Sequence, residues 1–109
     1  MTKDYSLYLR HILEAIASIE EYTKDLDWDG FRSSKLVQDA VIRNLEIVGE
    51  ATKKLPDEFR LRYPQIPWKQ IAGMRDVLIH DYFGVDVERV WGVVNNRLKG
   101  LKKELSAVL

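Results

Sequence analysis

The chain has 109 residues, no cysteine, and 17 lysines and arginines against 17 aspartates and glutamates. That length holds one domain with a modest core and not two, and the balanced charge excludes the broad basic field of a non-specific nucleic-acid coat. Without cysteine there are no disulfides, thiolate metal sites or thiol nucleophiles; two separated histidines make no zinc site, and no apolar run approaches a membrane span. Met1-Thr-Lys-Asp-Tyr5 carries no signal-peptide pattern, so a single cytoplasmic domain over residues 1–109 is expected, with no metal and no cofactor.

Four helical patterns account for nearly all of the chain, and no alternating run predicts a strand. Residues 4–26 place Tyr8, Ile12, Ile16, Ile19 and Leu26 at helical spacing, which predicts the first helix. Asp27-Trp-Asp-Gly30 interrupts that pattern, and Ser33 or Ser34 can cap a second helix running to about Lys54. Its stripe is Val37, Ala40, Val41, Val48, Ala51 and Leu55, with Asn44 at the centre. An asparagine there must be hydrogen-bonded, either to tie helices together or to orient a site residue. Arg43 lies on the opposite side at helical spacing from Asp39, a surface ion pair or the rim of a polar groove.

Pro56 opens a short helical turn through Tyr63, and Pro64-Gln-Ile-Pro67 is a rigid link into a third helix over residues 68–82, with Trp68 anchoring the corner. The fourth helix begins after Gly84, capped by Asp86, and carries Val87, Val90, Val94, Leu98, Leu101, Leu105 and Val108 as one continuous seam. Arg97, Lys99, Lys102 and Lys103 form the most basic short stretch, read as a solvated helix face beside Glu104. Four such helices in one short chain predict an all-α, up-and-down four-helix bundle with a short extra helical turn. Surplus apolar surface favours a homodimer.

Chemistry concentrates in one segment, Gly73-Met-Arg-Asp-Val-Leu-Ile-His-Asp-Tyr82, which reads R-x4-H-x-Y. Arg75 offers a permanent cation with a planar fork, His80 an imidazole that titrates near neutral pH, and Tyr82 a phenol, a set suited to phosphate chemistry. On an ideal helix Ile71, Met74, Leu78, Ile79 and Tyr82 share an apolar stripe with Arg75 near its centre, while His80 points roughly 180° from Ile71. Asp76, four residues before His80, can pair with it at the surface. Arg75 and His80 stand about 140° apart, so one straight helix cannot bring both to one phosphate. Either the helix ends near His80, or two copies of the motif face each other across a two-fold axis.

Val41-Ile-Arg-Asn-Leu-Glu-Ile-Val-Gly-Glu50-Ala, Pro64-Gln-Ile-Pro-Trp68, Gly73-Met-Arg-Asp76 and Ile79-His-Asp-Tyr82, in that order, resemble the HEPN-fold HepT-like proteins. These are the toxin halves of MNT/HepT toxin–antitoxin pairs, and the resemblance covers nearly the whole chain. It implies a dimerising four-helix HEPN domain acting on RNA as a metal-independent endoribonuclease of a type VII-like pair. It further implies that Arg75 and His80 are the catalytic pair. Tyr82 is then the residue to which a cognate MNT-type nucleotidyltransferase antitoxin transfers AMP, and Asp76, Arg43 and Asn44 are supporting candidates.

Two other functions fit the same helices. One is a non-catalytic HEPN module that binds nucleotide or assists a separate nucleotidyltransferase; the other is a structural dimerisation bundle. The intact R-x4-H-x-Y argues for the ribonuclease, whereas zero net charge is more comfortable with the alternatives.

Overall fold

The computed structural model describes residues 5–73 and 86–108. Every regular element among them is helical. We number the helices α1 (Ser6–Thr23), α2 (Trp28–Ser33), α3 (Lys35–Lys53), α4 (Asp57–Leu61), α5 (residues 68–73), α6 (Val87–Asn96) and α7 (Leu98–Val108). None of them is long and apolar enough to cross a membrane.

The first helix stops three residues short of the expected end. Leu9, Ile12, Ala15, Ile16, Ile19 and Thr23 line its buried side at intervals of three and four. The Thr23 hydroxyl donates to the Ile19 carbonyl at 2.8 Å, so this buried polar group closes the last turn instead of requiring a partner elsewhere. The interruption around Asp27 is itself structured. The Asp27 carboxylate accepts from the Gly30 N–H at 2.8 Å and opens α2, which delivers Phe31 to the core with no exposed surface.

Ser34 is the joint between α2 and α3. Its N–H donates to the Phe31 carbonyl at 3.2 Å and its hydroxyl accepts from Val37 N–H, also at 3.2 Å, so the expected cap falls on Ser34 and not on Ser33. The Gln38 amide then donates to the carbonyls of both Phe31 and Arg32 at 2.8 Å, tying the frayed end of α2 to the first turn of α3.

The core lies between α1 and α3, with α7 packed on α1. Ile12, Ile16 and Ile19 meet Val41, Leu45 and Val48, and Leu98 and Leu105 complete the cluster; each is at most 1 % exposed. Each such side chain stabilises the fold by about 1.5–3 kcal/mol relative to solvent exposure. Thr52, fully buried on α3, returns its hydroxyl to the Val48 carbonyl at 2.7 Å.

Pro56 caps α4, and the link 62–67 that follows is held by Trp68. Its indole N–H donates to the carbonyls of Arg60 and Tyr63, both at 3.0 Å, and its ring meets Phe59 edge-on with centroids 6.3 Å apart. Tyr5 and Tyr63 pack on the same Phe59, at 5.4 and 5.3 Å. The corner expected at Trp68 is therefore an aromatic cluster with its polar edge satisfied.

The expected fourth helix is two helices. Asp86 caps α6 as anticipated, accepting from Arg89 N–H at 3.1 Å. At Arg97, however, the backbone leaves the helical region, with φ −121° and ψ −37°. Asn95 and Asn96 precede the break; both are weak helix formers, and the Asn95 amide takes the Trp91 carbonyl at 2.8 Å. The apolar seam survives the break because Val90, Leu98, Leu101 and Leu105 remain buried. Periodicity reports the seam and is blind to the joint.

Candidate functional site

Arg75, Asp76, His80 and Tyr82 lie outside the described residues. The structure describes the flanks of their segment: Gly73 at the end of the described part of α5 and Asp86 at the start of α6. Both flanks line one cleft of about 990 Å³ between α5, α6 and α7. Its apolar lining is the edge of the core: Leu45, Ile71, Val90, Leu98 and Leu101, each at most 7 % exposed. Its polar lining includes Gln70, Arg89, Asn96, Arg97 and Glu104.

Each polar group is placed by a local rule. Arg89 stands in the first turn of α6, where the Asp86 cap fixes the direction in which the helix leaves the loop. Arg97 sits at the break between α6 and α7 and reaches back to α5, donating to Gln70 Oε1 at 3.1 Å. Among the described residues neither arginine pairs with a carboxylate. Glu104 Oε2 is buried with no hydrogen-bond partner among them. Gly73, Gly92 and Gly100 also line the cleft, and a Cβ built on any of the three would meet nothing within 4 Å among the described residues.

The two described supporting candidates sit on α3 and are not joined to each other. Asn44 is half-buried, and its amide donates to the Ala40 carbonyl of its own helix at 2.9 Å. The expected full burial and inter-helix tie are absent, because an asparagine on a helix can satisfy itself one turn back. Arg43 is exposed and stands 3.6 Å from Glu46, while Asp39 pairs with Lys35 at 3.0 Å. The expected Asp39–Arg43 pair thus gives way to two others, as expected where several carboxylates lie within one turn of each cation. No group of three or more His, Asp or Glu that could hold a metal occurs among the described residues.

Arg89 and the cleft polar groups on α5 were not legible as a site. Arg97, Lys99, Lys102 and Lys103 are all exposed, as a solvated basic face requires, and Arg97 also reaches Gln70 on α5. The available signal was the glycines: Gly92 and Gly100 interrupt helical patterns where alanine would be favoured, which implies that something other than helix stability sets those positions.

Every regular element among the described residues is helical, which defines an all-α domain. The sequence model described as "Ribonuclease HepT-like" matches residues 12–108, and the chain belongs to the HepT-like ribonuclease family. It is 55% identical over its full length to a Methanocaldococcus jannaschii protein named as a γ-glutamylcyclotransferase and candidate RNase, of which it spans only 49%. It is 47% identical over 94% of its length to a probable ribonuclease HepT of Thermococcus cleftensis, spanning 93% of that protein. A candidate RNase of M. jannaschii is 44% identical over 98% of the chain, which spans 88% of that relative. No solved structure matches the chain.

Proposed function

We propose that this chain is a metal-independent endoribonuclease, the toxin half of a type VII-like toxin–antitoxin pair, working as a homodimer of HEPN-type bundles in the cytoplasm. The observation that carries the reading is family membership over residues 12–108 together with an intact R-x4-H-x-Y. In the proposed reaction His80 takes the proton from a ribose 2′-hydroxyl, whose oxygen attacks the adjacent phosphorus. The P–O5′ bond breaks, a proton returns to the leaving 5′-oxygen, and a 2′,3′-cyclic phosphate remains. Arg75 stabilises the charge gathering on the phosphorane oxygens. A two-fold arrangement supplies two copies of each group and removes the angular conflict between Arg75 and His80. A cognate nucleotidyltransferase then silences the enzyme by transferring AMP from ATP to the Tyr82 phenol, releasing pyrophosphate.

The test is cleavage of a mixed-sequence RNA by purified protein in excess EDTA. The parent is expected to cut and leave cyclic phosphate ends, and folded His80→Ala to lose the activity. Activity that appears only on adding magnesium contradicts the mechanism. Zero net charge favours a second reading, a non-catalytic module that binds nucleotide or assists a nucleotidyltransferase. Under that reading the parent cuts nothing in the same assay.

A further inference from the structure

We infer that the outward face of α7 is a contact surface for the phosphate backbone of RNA, with Lys99 and Lys103 as its cations; this rests on the ribonuclease reading. Leu98, Leu101 and Leu105 form the buried side of that helix. At about 100° per residue, Lys99 and Lys103 lie roughly 40° apart and both turn away from the leucines. Both are exposed, as are Gly100, Ser106 and Ala107, which share the face. The outward side of α7 is thus two long cations on a strip of small residues.

Charge in this chain is balanced in total but not in place. Arg97, Lys99, Lys102 and Lys103 fall within seven residues that hold no carboxylate, and they leave the rest of the chain with four more acids than cations. The net charge elsewhere opposes a polyanion, and here it attracts one. Two of the four cations are already engaged: Lys102 Nζ stands 2.9 Å from Glu20 Oε1, and Arg97 donates to Gln70 Oε1 at 3.1 Å. Lys99 and Lys103 form no ion pair among the described residues. Glu104, the acid of α7, lies about 100° round the helix from Lys103. Its Oε2 is buried, so it does not cancel the outward face.

The make-up of the face selects its occupant. A protein partner binds through buried aromatic or aliphatic anchors, and this strip carries none. A second copy of the chain, set on the same face across a two-fold axis, would place lysine against lysine. A nucleic-acid backbone needs only cations that can reach separate phosphates. Lys99 and Lys103 are four residues apart, about 6 Å along the axis, and their flexible stems follow a strand of no fixed shape. Contacts of this kind raise affinity without choosing sequence, because they touch phosphate and not base edges.

The experiment measures binding of a fluorescein-labelled, mixed-sequence 2′-O-methyl RNA, which cannot be cut, as a function of salt. Each phosphate contact contributes about 0.7 to the slope of log affinity against log salt for a single strand. Lys99→Gln with Lys103→Gln is expected to flatten the slope by about 1.4 and weaken binding about tenfold or more at low salt. The Lys99→Arg, Lys103→Arg protein should keep most of the slope, which a folding defect would not reproduce. Lys102→Gln removes the same charge from the same helix and is expected to keep the parent slope, because Glu20 already engages it. An equal loss in Lys102→Gln overturns the assignment, as does a parent that does not bind the oligonucleotide. A double glutamine variant that binds RNA like the parent but no longer holds a cognate nucleotidyltransferase gives the face to a protein partner and overturns it too. A double variant that binds and cuts like the parent overturns the face alone. A parent that binds the uncleavable strand through both lysines yet leaves ordinary RNA intact upholds the face and overturns the ribonuclease reading alone.

Discussion

Single residues in this protein solve their polar problems close to home, and Trp68 shows what that is worth. Its indole N–H donates to two carbonyls, at Arg60 and Tyr63, each of which also accepts a backbone N–H, so the one side chain adds a second bond at both ends of the turn. Trp68→Phe keeps an aromatic ring against Phe59 but removes the donor. We expect a loss of about 1–3 kcal/mol, read from the urea midpoint at unchanged m-value. A midpoint within error of the parent would show that water replaces the indole without cost. Asn44 teaches the converse. Its place on an apolar stripe suggested an inter-helix tie, but the amide bonds Ala40 on the same helix, and sequence spacing does not distinguish the two.

At the scale of elements, hydrophobic periodicity announced α1, α3 and the buried seam of α6 and α7, whereas α2 fell in a stretch that reads only as an interruption. Caps at Ser34 and Asp86, the turn after Pro56 and the corner at Trp68 were all legible because each rests on interactions within about eight residues. The break at Arg97 was not, since the seam Val90, Leu98, Leu101 and Leu105 runs through it undisturbed. Nor was the cleft, which exists only because α5 and α7 approach residues distant in sequence. Gly92 links the two scales. Inside α6 it forgoes helix propensity, and a Cβ there meets nothing within 4 Å among the described residues. Gly92→Ala is therefore expected to stabilise the fold by about 0.4–1 kcal/mol in a thermal or urea melt. Destabilisation would mean that the added methyl group meets a neighbour there.

For the whole molecule, the proposed switch makes the sharpest demand. AMP on Tyr82 would add bulk and negative charge two residues from His80 in the sequence. Such a group repels RNA phosphates and competes for Arg75. Incubation with a cognate nucleotidyltransferase and ATP should add one AMP per chain, map to Tyr82 by peptide mass, and abolish cleavage. AMP on another residue, or equal neutralisation of Tyr82→Phe, would show that the antitoxin acts by another route. The family and the motif were readable before any coordinates because they depend on residue identity and order. The contact of Arg97 with Gln70 was not, because it joins residues 27 positions apart and owes its place to packing.

The surface ion pairs carry a practical corollary. Lys24–Glu21, Arg32–Asp29, Lys35–Asp39, Arg43–Glu46 and Arg60–Asp57 all lie within one helical turn, and Lys102–Glu20 alone among the described pairs joins distant parts of the chain. Pairs of the local kind contribute only about 0.3–0.5 kcal/mol each, whereas the aliphatic core does not weaken with ionic strength. Potassium chloride should therefore leave the folded population almost untouched, with a denaturation midpoint that barely moves with salt. A domain built this way keeps its architecture across a wide range of ionic conditions, because little of it is held by charge.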